Sequence, residues 1–271
     1  MKTFTPLILA ISAQAARLPG FLGPRDEDNT WFTCPASIPE TCTSSSISNT
    51  CCFESQNGVI VQTQYWDYKP STGPVEEFTL RGLWPYQCDG TSVQYCDNSL
   101  NVNTDDVETI VGTQFDDQDL LDDMKKYWTS NDLTGSSLWA YEYNKHGSCI
   151  GTEHPQCWGD NFEPNENIYE YFRKAVALYA SYPTFQYLKS AQIVPSSTQT
   201  YTYDQILEAI KSNVNGIVPL IKCDSNGALH QVGYYHHFIG PLIVQDYIQI
   251  DSLATTNCPS TGIKFLPKAS S

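Results

Sequence analysis

Trp139-Ala140-Tyr141-Glu142-Tyr143-Asn144-Lys145-His146-Gly147-Ser148-Cys149 is the stretch on which the reading of this chain turns. Run as a helix, it sets Glu142 and His146 four residues apart on one face, with Tyr141 and Lys145 one step round. A carboxylate, an ammonium and an imidazole then converge within a single turn. That set suits a phosphodiester. An imidazole moves a proton near neutral pH, an ammonium stabilises developing negative charge, and a carboxylate orients or tunes its neighbours. A second chemistry-bearing segment lies upstream: Phe78-Thr79-Leu80-Arg81-Gly82-Leu83-Trp84-Pro85-Tyr86-Gln87-Cys88-Asp89-Gly90 reads as a strand running into a Trp-Pro turn.

Working outward, residues 59–66 (VIVQTQYW) are β-rich and residues 77–83 read as the next strand. Residues 89–113 read as polar loop. The acids Asp116, Asp117, Asp119, Asp122 and Asp123 then lead into a helical run over 119–128, where their simplest role is a solvated helix N-terminus. Residues 165–182 place Ile168, Tyr171, Phe172, Ala175 and Leu178 at helical spacing, and 203–213 repeat the pattern more weakly. The last third alternates, with strands expected over 217–223, 228–238 and 242–250. No internal repeat, low-complexity block or long linker interrupts the chain, so a single α+β domain over 31–268 is the economical organisation.

The chain has 271 residues, 41% hydrophobic and 13% aromatic, enough for a sizeable core. Its formal charge of −15 argues against a generic basic nucleic-acid coat, because a polyanion meets net long-range repulsion. Only 17% of residues are charged, which excludes a disordered acidic tail. The ten cysteines are even in number, and neither a CxxC pair nor an HExxH motif offers a metal-binding use for them. Disulfides and an oxidising compartment follow. A charged start, a short apolar run (PLILAIS) and Ala13-Gln14-Ala15 read as a signal peptide over 1–15, with 16–30 a flexible N-terminus or short pro-segment. A secreted, extracellular protein without a membrane span is expected.

The two segments, together with residues 171–182 (YFRKAVALYASY), 194–202 (VPSSTQTYT) and 257–268 (NCPSTGIKFLPK), resemble the ribonuclease T2 family, and its fungal branch in particular. The resemblance runs from about Trp31 onward. It implies the family's single-domain α+β fold, an antiparallel sheet packed by helices. It also implies five disulfides, Cys34–Cys52, Cys42–Cys88, Cys51–Cys157, Cys96–Cys149 and Cys223–Cys258. The family's first signature reads Phe-Thr-Ile-His-Gly-Leu-Trp-Pro and its second reads His-Glu-Trp-Asn-Lys-His-Gly-Thr-Cys. Family members cleave RNA by in-line attack of the 2′-hydroxyl, with one histidine of each signature as the acid–base pair and the second signature's Glu and Lys stabilising the transition state. Carried over position by position, Glu142, Lys145 and His146 match. Arg81 stands where the first signature has its histidine, and Tyr141 where the second signature opens with another.

Arginine stays protonated throughout the working range and cannot serve as an acid–base, although it can bind a phosphate. The resemblance therefore implies a secreted ribonuclease T2-like protein with a degraded active site, impaired or inactive as a catalyst. Arg81, Trp84 and Tyr86 are the candidate RNA- or phosphate-binding residues, the two aromatics suited to stacking bases without reading them. The alternative is an active endoribonuclease that cleaves single-stranded RNA through a 2′,3′-cyclic phosphate, with an unusual acid–base pair in which a neighbouring histidine substitutes. Arg81 has a simpler use too, as charge partner of Glu142. His230, His236 and His237 read as structural or surface residues, and His154 as an exposed loop residue. RNA or an unidentified protein is the expected partner, the chain a monomer, and no metal or other cofactor is implied.

Overall fold

Val59–Tyr65 (β1) is rich in β-branched and aromatic residues, which suit a pleated surface, and it pairs antiparallel with Thr79–Tyr86 (β2). On its other side β1 pairs with Leu229–Ile239 (β5), which also carries Leu220–Cys223 (β4) and Asp246–Ile250 (β6). The result is an antiparallel sheet of order β2-β1-β5-β4 with β6 on β5. A two-residue pair, Thr200–Tyr201 (β3) with Ile263–Lys264 (β7), stands apart. The computed structural model describes residues 34–269 other than 36, 44–47, 160–161 and 243–245. The signal peptide and the 16–30 segment expected from the sequence lie outside these residues.

Helices cover one face of the sheet. Gln118–Tyr127 (α2) is capped by Asp117, whose carboxylate accepts the Leu120 N–H at 3.0 Å, and it closes on Lys125 and Lys126, both complementing the helix dipole. Gly135–Lys145 (α3) and Glu166–Ala180 (α4) follow. Leu120, Met124, Leu138, Trp139, Tyr143, Tyr171 and Phe172 meet Ile60, Leu80 and Leu83 of the sheet in the main core. Each such side chain removed from water contributes about 1.5–3 kcal/mol before the entropy of ordering the chain is counted. Thr184–Ser190 (α5) and Tyr203–Lys211 (α6), the latter opened by a Thr202–Gln205 capping box, pack a second cluster around Trp66, Phe78, Phe185, Ile206 and Phe265.

Five disulfides tie the loops to this frame, joining Cys34–Cys52, Cys42–Cys88, Cys51–Cys157, Cys96–Cys149 and Cys223–Cys258.

Two local expectations are corrected. Trp84-Pro85 is not a turn: β2 runs on through Tyr86, with Pro85 opposite Ile60. β2 lies at the edge of the sheet, where a residue without an N–H is tolerated. The stretch expected as polar loop over 89–113 winds into 3-10 turns at Asn98–Leu100 and Thr104–Asp106. These continue into Val107–Thr109 (α1) and a π-helical turn over Ile110–Gln114. Val107, Ile110 and Val111 recur at helical spacing there and are buried in the main core.

Candidate active site

In the β1–β2 ladder Thr63 pairs with Gly82 and Gln64 with Leu80, so Arg81 is the extra residue of a β-bulge. A bulge resets the inside–outside alternation of a strand and re-aims a side chain. Here it lets Leu80 and Leu83 both enter the core while Arg81 and Trp84 stay partly exposed on the opposite side. The Arg81 carbonyl, freed from the ladder, accepts the indole N–H of the fully buried Trp128 at 3.0 Å. The guanidinium lies over the Tyr65 ring of β1, 5.3 Å from its centroid.

From the other side α3 supplies Glu142, Lys145 and His146, as the helical spacing predicts. His146 closes the helix, its N–H still bonded to the Glu142 carbonyl at 2.9 Å. The next free carbonyl, of Lys145, accepts the N–H of Tyr95 at 2.8 Å. Tyr95 sits in the left-handed region at φ 53°, next to the Cys96–Cys149 disulfide, and its side chain is largely exposed.

These two elements meet at Glu142, which is 1% exposed. Its Oε1 lies 3.4 Å from Arg81 Nε, its Oε2 accepts the Trp84 indole N–H at 2.8 Å, and the same oxygen lies 3.8 Å from His146 Nε2. The imidazole stacks on the Trp84 indole with centroids 4.9 Å apart and planes 20° apart. Gly82 makes this approach feasible, since a Cβ there would fall 2.6 Å from Trp84 Nε1 and 2.7 Å from Glu142 Oε2. On the rim, Lys145 Nζ donates to the Tyr141 hydroxyl at 2.7 Å.

Burial sets the protonation of the pair. Loss of water lifts the Glu142 carboxyl to about 7, against the pull of Arg81, the Trp84 hydrogen bond and Lys145. The same loss drives His146 down to about 3, and Lys145 and Arg81 push it the same way. At neutral pH the contact between Glu142 and His146 therefore involves an uncharged ring. His146 Nδ1 is buried with no hydrogen-bond partner. A free base and a raised acid thus stand side by side, with a guanidinium that exchanges no proton.

Of the residues singled out from sequence, Arg81, Trp84, Glu142 and His146 form one contact cluster, and Lys145 with Tyr141 forms its rim. Tyr86 does not join it: its ring packs on Tyr235, 6.0 Å between centroids, further along β2. Among the described residues the contacts of the other four histidines lie elsewhere. His230 packs on Tyr65 with centroids 4.5 Å apart, His236 is buried against the Tyr182 hydroxyl, and His237 meets Glu40 at 2.7 Å. His154, expected as exposed, is half-buried and lies 3.2 Å from the Ser148 carbonyl. Among the described residues no group of three His, Cys, Asp or Glu side chains is placed to hold a metal ion. Sequence reasoning missed Tyr65, Tyr95 and Trp128. Tyr65 could have been found from its place on a strand flanking the Arg81 strand, whereas Tyr95 and Trp128 carry no local signal.

The chain matches the family model described as the Ribonuclease T2 family over residues 42–258. It is 44% identical over 242 residues to "Ribonuclease T2-like 1-A" of Candida albicans, an alignment covering 88% of this chain and 60% of that protein. It is 37% identical to "Ribonuclease T2" of Aspergillus oryzae, covering 88% of this chain and 85% of the relative. The chain therefore spans about 60% of the length of the yeast relative but most of the Aspergillus one. Among solved structures it is similar to Actibind, described as a T2 ribonuclease, with TM-score 0.81 and 36% identity over 88% of this chain and 98% of that one. The family match over residues 42–258 takes in both the Arg81 strand and the Glu142–His146 helix, and the chain belongs to the ribonuclease T2 family.

Proposed function

We propose that this chain is a ribonuclease T2-family protein whose cleavage centre is disabled and whose cleft retains binding of the phosphodiester of single-stranded RNA. The observation that carries this reading is Arg81, a permanent cation 3.4 Å from Glu142 at the position where the resemblance calls for a histidine. In-line attack of a 2′-hydroxyl needs one group to take a proton and another to return one to the leaving oxygen. His146, neutral above about 3, is free to accept a proton but only weakly basic. Arg81 returns none, and the loss of one partner of such a pair typically costs about 10²–10⁴ in rate. Tyr141, at the position of the second missing histidine, is engaged with Lys145 at 2.7 Å. The five disulfides support placement of the protein outside the cell.

The test is incubation of the purified, folded protein with single-stranded RNA from acid to neutral pH, with product ends analysed. This reading expects no 2′,3′-cyclic phosphate above background. It also expects RNA binding that weakens as salt rises; binding that is absent or flat in salt would redirect the function to a protein partner.

A second reading, an active endoribonuclease, is favoured by one observation. Glu142 at about 7 and His146 at about 3 leave a protonated acid and a free base in one cleft between those values. Steady cleavage that is abolished both by Glu142→Gln and by His146→Ala would establish it.

A further inference from the structure

We propose that the cleft takes up a proton together with its anion: a phosphodiester seated on the open edge of Arg81 is held tightly while Glu142 is protonated and weakly once it is ionised. The inference rests on the reading of the cleft as a phosphodiester-binding site.

The geometry makes Glu142 an internal competitor for the cation that a phosphate would use. Arg81 is 16% exposed, backed by the Tyr65 ring on one side and by Glu142 Oε1 at 3.4 Å on another. The groups facing Glu142 come from every element around it. Arg81 and Trp84 approach from β2, Tyr65 from β1, and Lys145 and His146 from its own helix. Tyr171 approaches from α4 and Tyr95 from the segment before Cys96. Among these described groups Glu142 is the one carboxyl, beside two cations. Its charge therefore decides whether the cluster faces an incoming anion with one net positive charge or two.

The competition cannot be relieved by rotating Glu142 away. The side chain is 1% exposed, its Oε2 is fixed by the Trp84 indole at 2.8 Å, and the strand at Gly82 closes against it. Protonation is the remaining way to release Arg81. Lys145 stands on the rim, one of its donors engaged by Tyr141 at 2.7 Å, and no ion pair with Glu142 is among its contacts in the described residues, so its charge adds to either state of the carboxyl without relieving the competition at Arg81. Burial already places the Glu142 exchange near neutral pH. Binding and protonation are thermodynamically reciprocal, so an anion on Arg81 must in turn raise the proton affinity of Glu142.

The experiment titrates the full chain by calorimetry with a short single-stranded 2′-deoxy oligonucleotide, which carries no attacking 2′-hydroxyl. Titrations run from pH 5 to 9 in two buffers of different ionisation enthalpy. The expected result is uptake of up to one proton on binding. Affinity should fall above pH 7, approaching about tenfold per pH unit where a single proton is linked. Glu142→Gln, which keeps an acceptor for Trp84, should bind tightly at every pH without proton uptake, and His237→Gln, whose ring meets Glu40 away from the cleft, should keep the wild-type profile. Binding that is independent of pH, with no proton uptake by the natural protein, overturns this inference and leaves the binding reading intact. So does a Glu142→Gln variant with unchanged pH dependence, or loss of uptake in His237→Gln. No binding at any pH overturns the binding reading and this inference together. The proton uptake of the natural protein decides the matter even where a variant does not fold.

Discussion

Arg81 Nε lies 3.4 Å from Glu142 Oε1, a pairing between a strand bulge and a helix that share no local sequence. The guanidinium partly offsets the cost of burying the carboxyl and holds it below where burial alone would set it. Replacing Arg81 by Met should therefore raise the Glu142 titration further, by roughly one to three units. Carboxyl-carbon NMR of the variant against the natural protein reads this directly.

The opposed shifts of Glu142 and His146 give the stability of the protein a defined pH signature. Glu142 is raised from 4.5 to about 7, so its contribution is fully present below 4.5 and is lost as pH rises toward 7. His146 is lowered from 6.5 to about 3, so its contribution is present above 6.5 and is lost as pH falls toward 3. The two slopes oppose one another between 4.5 and 6.5 in the natural protein. Glu142→Gln should leave stability rising with pH across that range, and His146→Gln should leave it falling, each by on the order of 3 kcal/mol. Urea midpoints measured at half-unit steps of pH check the signs.

Gly82→Ala puts a Cβ 2.6 Å from Trp84 Nε1 and 2.7 Å from Glu142 Oε2. Neither neighbour can retreat, since the indole stacks on His146 and the carboxyl is buried. A loss of about 1–3 kcal/mol is expected, with a shift in tryptophan emission as the Trp84–Glu142 hydrogen bond breaks. An unchanged emission spectrum and midpoint would mean that the strand and helix do not meet this closely.

The Cys96–Cys149 bond closes a chain separation of 53 residues and anchors Tyr95 beside the end of α3. On the chain-entropy account such a loop contributes about 4 kcal/mol. Cys96→Ala/Cys149→Ala should lower the unfolding midpoint accordingly and weaken hydrogen-exchange protection at Tyr95 and His146 before it does so in the sheet.

Much of this site was legible from the chain. Glu142 and His146 come together because a four-residue spacing on a helix is a local rule, and Lys145 meets Tyr141 for the same reason. Arg81 was legible as a residue but not as a bulge. Its orientation depends on the register between β1 and β2, which is set by packing across the sheet and leaves no mark in residues 78–90 themselves. Trp84-Pro85 misled for a related reason: the dipeptide favours a turn, and only its place at a sheet edge lets it extend. Val107, Ile110 and Val111 carried a helical pattern too short to stand out between acids and asparagines. The disulfide pairing was not readable from spacing and came with the family resemblance.

If Arg81 and Tyr141 silence an otherwise intact cleavage site, restoring a histidine at each position restores cleavage. The decisive comparison sets the natural protein beside Arg81→His/Tyr141→His on single-stranded RNA from acid to neutral pH, scoring 2′,3′-cyclic phosphate ends. No such ends are expected from the natural protein, and the double variant should gain at least about 10² in rate. Cleavage by the natural protein at a rate the double variant does not exceed would contradict that silencing.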